Sequence, residues 1–366
     1  MKVFRTILLV INIVAAVGLV LTTLAGVVAP SKSILLSVAT YGYLPMLVLN
    51  VAFIIVWLCM GRWQFAVSLA VIAVRWSFVG FFFQVGGTSK VPAAEEHPSM
   101  VKVMSFNVHQ FGGNGNDAIP KDTNAAEFLL LVKEYSPDIL CLQEFSRPKN
   151  VKVVDSLELM GYNHFFSAAG SNTIPAGTTV FSKLPITYVK KIDQQKVMVE
   201  VLGNEFSFRL CCVHMDSYAF DESDRNEISQ LTLGKMDSAS RRTLSKVKET
   251  ILRHEEEWNE MLKPLVSECT KPLLLAGDMN DIPGSWLYQR IGDHLRDTYR
   301  DKGLGFCTTY NGGGDRLLSS GGEWLPHFRI DMVFRSEEFK TLSYKRIKTN
   351  ISDHYPVMVA LEIIDD

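Results

Sequence analysis

Residues 274–281 read LLAGDMND. An unbroken apolar run is the mark of a strand buried on both faces, and this one stops abruptly in acid and amide groups. Side chains two apart share a face of a strand, so Asp278 and Asn280 can converge on one point. The same tetrapeptide also reads as a turn whose Asn280 and Asp281 cap a following helix. What sets it apart is repetition. Residues 101–108 (VKVMSFNV) run into Asn107, and 138–144 (DILCLQE) into Gln143 and Glu144. Residues 205–216 run into His214 and Asp216, 329–335 carry Asp331, and 352–357 (SDHYPV) carry Asp353 and His354. Polar groups gathered at the mouth of a sheet are how a rigid scaffold positions a reactive site. Each piece has a plainer reading: a solvated strand end for Glu144, a core histidine for His214, a structural ion pair for Asp331 after Arg329, a loop cap for Asp353 and His354.

Around these endings, β-like runs recur with few helices between them. Further strands are expected over 178–182, 197–202 and 355–363, and helices over 125–135 and 285–291. The clearest helix is 241–266, where Leu244, Val247, Ile251, Trp258, Leu262 and Leu265 fall at helical spacing. Many strands with few helices predict two packed sheets with helices outside, an α+β arrangement, and not a doubly wound nucleotide-binding sheet.

The first 89 residues are of another kind. They hold five basic residues (Lys2, Arg5, Lys32, Arg62, Arg75) and no acidic one, leaving 32 basic against 39 acidic residues in the remainder, about −7. Three apolar runs, 7–29, 33–60 and 65–85, are each long enough to cross a hydrocarbon core as a helix. Arg75 interrupts the third and is expected to face neighbouring helices or snorkel, and Pro45 is expected to kink the second. The expected organisation is an anchor over 1–88 with three transmembrane helices, a polar linker over 89–100 and a soluble domain over 101–366. Three positive charges in the N-terminal tail and second loop, against one in the first loop, predict a cytoplasmic N-terminus and a soluble domain outside the cytoplasm. Were the first run a cleaved signal, two spans would remain and the domain would end on the same side. The cysteines show no CxxC or Cys/His metal spacing, and most lie in apolar strands as small hydrophobes.

The segments MSFNV (104–108), LCLQE (140–144), TVFSKLPI (179–186), CCVHMD (211–216), LLAGDMND (274–281), RIDMVF (329–334) and SDHYPV (352–357) resemble, in order, the endonuclease/exonuclease/phosphatase superfamily. That superfamily includes pancreatic-type deoxyribonucleases, abasic-site endonucleases, inositol-polyphosphate 5-phosphatases and neutral sphingomyelinases. The similarity covers about residues 101–363 and looks closest to membrane-tethered bacterial members. It implies a four-layer, DNase I-like αβ sandwich and Mg²⁺-dependent phosphoester hydrolysis, with Mn²⁺ able to substitute, in a protein of the bacterial inner membrane. By resemblance, Glu144 is the main metal ligand, assisted by Asn107 and Asp353. Asp278 orients or deprotonates water and Asn280 donates to the phosphoryl group. His354 binds phosphate or shuttles a proton, Asp331 fixes its tautomer, and His214 contacts phosphate from the other side. Gln143 and Asp216 are expected to lie behind these groups.

No phosphate-binding P-loop, dinucleotide fingerprint or GxSxG elbow is present. His254 lacks the second histidine of HExxH and is expected on a solvated helix face. The acidic balance beyond residue 90 and the lack of clustered Lys/Arg weigh against a nucleic-acid substrate. A lipid headgroup, a small phosphoester and a nucleic acid all stay open as substrates. The lipid bilayer is the one partner expected, with no obligate protein partner. The alternative function is a catalytically silent domain that binds a phosphorylated ligand or a partner on the same fold. Specificity is expected to reside in loops 146–176, 217–240 and 306–328.

Overall fold

The structure, a computed structural model, describes residues 2–112, 121–168, 176–203, 206–218, 238–310 and 328–364. Much of the three expected specificity loops, and the NGGG stretch at 311–314, lies outside the described residues. The chain divides into two compact units. One gathers Met1–Phe82, Asp216–Glu260 and Ile282–Ile291, the other Phe83–Met215, Met261–Asp281 and Gly292–Asp366.

In the first unit, the apolar runs form α1 (Lys2–Leu24), α2 (Ile34–Ala39), α3 (Tyr43–Cys59), α4 (Phe65–Val74) and α5 (Trp76–Phe82). Lys2–Leu24 and Ile34–Cys59 are long and apolar enough to cross a membrane. Pro45 lacks an N–H and its ring crowds the carbonyl four residues back. The chain tightens there into a 3₁₀ turn at Thr40–Gly42. The third run, expected as a span over 65–85, forms a bent pair of helices. It bends by 71° between α4 and α5, and the helix ends at Phe82. The cause is Arg75, which lies at the bend, donates Nη2 to the Thr23 carbonyl at 3.0 Å and sits over the Phe78 ring. A guanidinium in an apolar run is best satisfied by a helix-end carbonyl, and α1 offers one here.

Polar side chains join these helices to one another. Asn12 Nδ2 donates to Ser68 Oγ at 2.6 Å, and Ser68 Oγ donates to Asn50 Oδ1 at 2.7 Å. Trp57 Nε1 donates to Asn12 Oδ1 at 2.9 Å, and Asn50 Nδ2 to the Ala15 carbonyl at 3.0 Å. All four side chains are fully buried, so the network ties α1, α3 and α4 together where water does not compete for its hydrogen bonds. Segments from far along the chain pack on the same unit. Glu255 accepts from both N and Oγ of Ser31, at 2.7 and 2.8 Å, and the Phe81 and Tyr288 rings meet edge to face.

The helix expected over 241–266 is instead a helix over Ser238–Glu257, a π turn over Trp258–Leu262 and a short helix over Lys263–Ser267. Pro264 explains the break, since it removes one donor and crowds the turn before it.

The second unit contains β1 (Phe83–Gln84), β2 (Met100–Asn107), α6 (Lys121–Tyr135), β3 (Ile139–Phe145), α7 (Val151–Leu159) and β4 (His164–Ser167). There follow β5 (Gly177–Ser182), β6 (Ile186–Lys191), β7 (Lys196–Leu202), β8 (Ser207–His214), β9 (Leu273–Asp278) and β10 (Arg296–Asp297). The last strands are β11 (Gly305–Phe306), β12 (Asp331–Arg335), β13 (Phe339–Arg346) and β14 (Val357–Ile363). Two mixed six-stranded sheets result, ordered β10-β12-β9-β8-β7-β6 and β13-β14-β2-β3-β5-β4, with β1 and β11 pairing separately. Among the described residues, only β2–β3 and β8–β9 are parallel.

Between the sheets lie Val101, Val103, Ile139 and Val180 from one and Val199, Leu210, Leu274 and Val333 from the other. Met104, Phe106, Leu140 and Leu142 point the opposite way, onto Phe128 and Val132 of α6 and Val153 and Leu157 of α7. Alternation along β2 and β3 therefore serves two cores, and this is the αβ sandwich expected. Cys141, Cys211 and Cys212 are buried in strands.

Candidate active site

Three neighbouring strands set the floor of the site. β9 lies between β12 and β8, and the registers Asp331↔Asp278 and His214↔Asp278 bring the three polar ends level. Gly277 permits the approach: its φ is +152°, and a Cβ there would stand 1.8 Å from the Val213 carbonyl oxygen. The strand stops at Asp278, so strand alternation does not carry Asn280 to its position. Asn280 adopts φ 46°, a left-handed conformation that Asn tolerates, and its N–H donates to Asp278 Oδ1 at 2.9 Å. The turn and the functional readings of LLAGDMND are thus one structure.

The second sheet supplies the opposite wall. β3 departs from regular pairing with β5 between Leu142 and Phe145, and within that irregularity Glu144 has φ 53°. A bulge re-aims a side chain, and a left-handed glutamate stores strain that its surroundings must hold. Asn107, at the end of β2, bridges the two sheets. Its Nδ2 donates to Glu144 Oε1 at 3.1 Å and to Asp278 Oδ2 at 3.0 Å, while its Oδ1 accepts from the His109 N–H at 3.1 Å.

Two imidazoles face the buried Asp278 carboxylate. His214 Nε2 and His354 Nε2 each lie 3.7 Å from Asp278 Oδ2, and His214 Nε2 is 3.9 Å from Glu144 Oε1. His354 Nδ1 meets Asp331 Oδ2 at 2.9 Å. Burial pushes the His354 pKa down, but the charges of Asp331 and Asp278 outweigh it and lift it to about 10. Burial in turn raises Asp331 to about 6 against the pull of His354. The hydrogen bond and the mutual attraction of the two groups favour the imidazolium–carboxylate form of the pair. Burial alone would raise Asp353, yet the hydrogen bond from His109, at 2.9 Å, and the nearby His354 hold it below the usual carboxylate range.

The structure thus brings together Asn107, Glu144, His214, Asp278, Asn280, Asp331 and His354. β8 ends at His214, alternation stops with it, and the Asp216 carboxylate turns to Arg253 at 3.3 Å. Gln143 lies buried between the strands, its Nε2 near Ser105 Oγ and Cys212 Sγ at 3.4 Å. Asp331 is not the partner of Arg329, whose guanidinium binds Asp297 at 2.7 Å. His254 is buried rather than solvated, with Nε2 2.8 Å from the Asp216 carbonyl oxygen.

Several supporting residues escaped the sequence reading. Gln195 Oε1 lies 3.2 Å from His214 Nδ1, which leaves Nε2 toward the carboxylates. Thr309 Oγ1 accepts the N–H groups of Ile330 and Asp331, both at 2.9 Å. Tyr310 forms a β-bridge with His354 and meets its ring edge to face at 5.0 Å. Ser352 Oγ donates to the Asn107 carbonyl at 2.7 Å, joining SDHYPV to β2. Ser352 lies inside a motif segment and Thr309 and Tyr310 inside the expected specificity loop 306–328, whereas Gln195 sits in a stretch with no periodic or motif signal.

A hard divalent cation suits this donor set. Asp278 and Asp331 stand opposite one another on paired strands, Glu144 shares the Asn107 amide with Asp278, and Asp331 Oδ1 is buried without a hydrogen-bond partner. Among the described residues, ligand atoms of Asp278, Asp331 and His354 lie within 4.8 Å of one another, close enough to share an ion. Asn107, as placed, presents its Nδ2 rather than its Oδ1 to the carboxylates. Coordination through the amide oxygen requires that side chain to turn.

Among solved structures, the chain is similar to an endonuclease/exonuclease/phosphatase from Bacteroides vulgatus, at 15% identity over 72% of this chain and 99% of that one, TM-score 0.49. It is also similar to the catalytic domain of human nocturnin with bound sulfate, at 17% identity over 73% and 95%, TM-score 0.48. A truncated Caenorhabditis elegans TDP2 matches at 16% identity over 73% and 99%, TM-score 0.47. No curated protein matches by sequence. Residues 5–82 match a domain of unknown function, DUF8431. Residues 104–354, from the strand that ends in Asn107 to His354 itself, match the model of the Endonuclease/Exonuclease/phosphatase family, and the chain belongs to that family.

Proposed function

We propose that the protein is a membrane-anchored hydrolase of phosphoester bonds that depends on Mg²⁺, with Mn²⁺ able to replace it. The observation that carries this is the setting of Asp278. It is fully buried, fixed by Asn107 Nδ2 and the Asn280 N–H, and faced by two imidazole Nε2 atoms at 3.7 Å. A carboxylate held this way is equipped to orient a water molecule and take its proton.

Glu144 and Asp353 would hold the cation with Asp278 beside them, and Asn107, whose Nδ2 is committed to Glu144 and Asp278, would join them once its amide turns. When bound, it supplies Lewis-acid charge neutralisation at a phosphoryl oxygen and fixes the line of attack. Asp278 aligns the water opposite the leaving oxygen. The His354 imidazolium, kept charged by Asp331, donates toward the phosphoryl group, and His214 contacts it from the other side. Asn280 commits one amide hydrogen to the Met215 carbonyl, at 2.8 Å, and keeps a second for a phosphoryl oxygen. Water attacks phosphorus directly, and no side chain forms a covalent intermediate.

In this reading the N-terminus lies in the cytoplasm and the catalytic unit outside it. The basic residues of the tail and of the 60–64 loop support this orientation. Ser31, between the first two apolar helices, binds Glu255 from far beyond the third, which supports an odd number of crossings.

The test is hydrolysis of bis(4-nitrophenyl) phosphate by the full-length chain in detergent. Turnover with Mg²⁺ or Mn²⁺, abolished by a chelator and restored by metal, is expected. No turnover with either metal would overturn the proposal.

A further inference from the structure

The site described above leaves open which kind of phosphoester reaches it, and an apolar patch on the catalytic unit bears on that choice. Phe83 follows directly on Phe82, the last residue of the third apolar run. β1 pairs antiparallel with β11 (Phe83↔Phe306), and the two rings meet at 4.9 Å. Around this pair, Val85 is 77% exposed, Leu304 64%, Phe306 65% and Phe83 38%. Four large apolar side chains on one two-stranded ribbon are poorly suited to water. They stand where the chain leaves a run of bilayer-spanning composition, which identifies lipid as what covers them.

The same ribbon leads straight to the catalytic histidine. Tyr310 lies four residues after Phe306, at most about 14 Å of chain. Tyr310 bridges His354 through the main chain and packs against its ring. On the way, Thr309 holds the backbone of Asp331 through Oγ1, and its own carbonyl accepts the Tyr355 N–H at 2.6 Å. One short, well-anchored segment thus has apolar side chains suited to a membrane surface at one end and a contact with His354 at the other.

We infer that the substrate is a phosphoester carried by a lipid of the same bilayer, with the β1–β11 ribbon seated in the interface to hold the site at headgroup depth. This rests on the hydrolase reading. The oxygen of water bonds to phosphorus, and the P–O bond to one alcohol of the lipid phosphoester breaks. One proton of the water passes to the departing alkoxide, and the products are a free alcohol and the remaining phosphate ester. Nothing is oxidised or reduced.

The experiment reconstitutes the full-length chain in bilayers of phosphatidylethanolamine and phosphatidylglycerol with Mg²⁺. Release of phosphate-bearing product from those lipids is compared with hydrolysis of bis(4-nitrophenyl) phosphate and of a single-stranded oligonucleotide. Wild type should cleave a bilayer lipid, and the Leu304→Ser/Phe306→Ser double variant should lose about tenfold or more of that rate. The same variant should retain its rate on bis(4-nitrophenyl) phosphate, and Phe306→Leu should behave as wild type on both.

Lipids left intact, lipid cleavage unaffected by the double variant, or preferred cleavage of the oligonucleotide would each overturn the lipid inference. If bis(4-nitrophenyl) phosphate is still hydrolysed in an Asp278-dependent way, the hydrolase reading survives that result. If none of the three is hydrolysed, the hydrolase reading falls and the lipid inference with it.

Discussion

Asn107 and Asp278 belong to different sheets, 171 residues apart in the chain, and are joined by a hydrogen bond of 3.0 Å from the amide Nδ2 to the carboxylate Oδ2. The same Nδ2 reaches Glu144 at 3.1 Å, so one side chain sets the spacing of two carboxylates across the mouth of the sandwich. Asn107→Ala should lower turnover by about 10–100-fold, the usual penalty for removing a group that orients ligands. Steady-state kinetics over a Mg²⁺ series checks it, and the metal concentration for half-maximal rate should rise.

Gln195 should matter although it touches no substrate. Its Oε1 faces His214 Nδ1 and so decides which ring nitrogen points at Asp278. Gln195→Leu should reduce kcat by about tenfold or more with little change in Tm. A variant with unchanged kcat would show that His214 needs no such positioning.

Arg329 and Asp297 form an ion pair with both side chains only 2% exposed, and Asp297 also caps the helix that starts at Thr298. Removing one partner strands a buried charge, and Arg329→Ala should destabilise the catalytic unit by about 3–5 kcal/mol. Chemical denaturation of the detergent-solubilised protein measures it. Arg329→Ala combined with Asp297→Ala should be less harmful than the two changes summed.

Asn50 accepts from Ser68 and donates to the Ala15 carbonyl within the apolar helices. Asn50→Leu should cost about 1–2 kcal/mol of helix association in detergent, the scale of interhelical hydrogen bonds in membranes. Rates on a water-soluble phosphoester should stay near wild type.

The strands were legible because their apolar runs are long and end abruptly. Met100–Asn107, Ile139–Phe145 and Leu273–Asp278 lie within one or two residues of expectation. What periodicity does not encode is local departure from it. The left-handed backbone of Glu144 and Asn280 depends on tertiary contacts that hold each strained residue, and alternation could not foresee it. Asp216 lies past the end of β8, where the strand's alternation no longer says which way a side chain turns. β13, with Lys340, Lys345 and Arg346 along it, lacked the apolar signature of the other strands and was missed. The long helix was extended across Pro264 because its apolar spacing continues there, although the backbone hydrogen bonds do not.

The most direct test is the turnover of Asp278→Asn, a substitution that keeps shape and hydrogen bonding while removing the charge that would take the proton. With Mn²⁺ binding and Tm verified as near wild type, kcat on bis(4-nitrophenyl) phosphate should fall by about 10³-fold or more, as befits loss of a positioned base together with its charge. A variant that retains turnover within about tenfold of wild type would contradict a catalytic role for Asp278, since a positioned base typically contributes 10²–10⁴-fold.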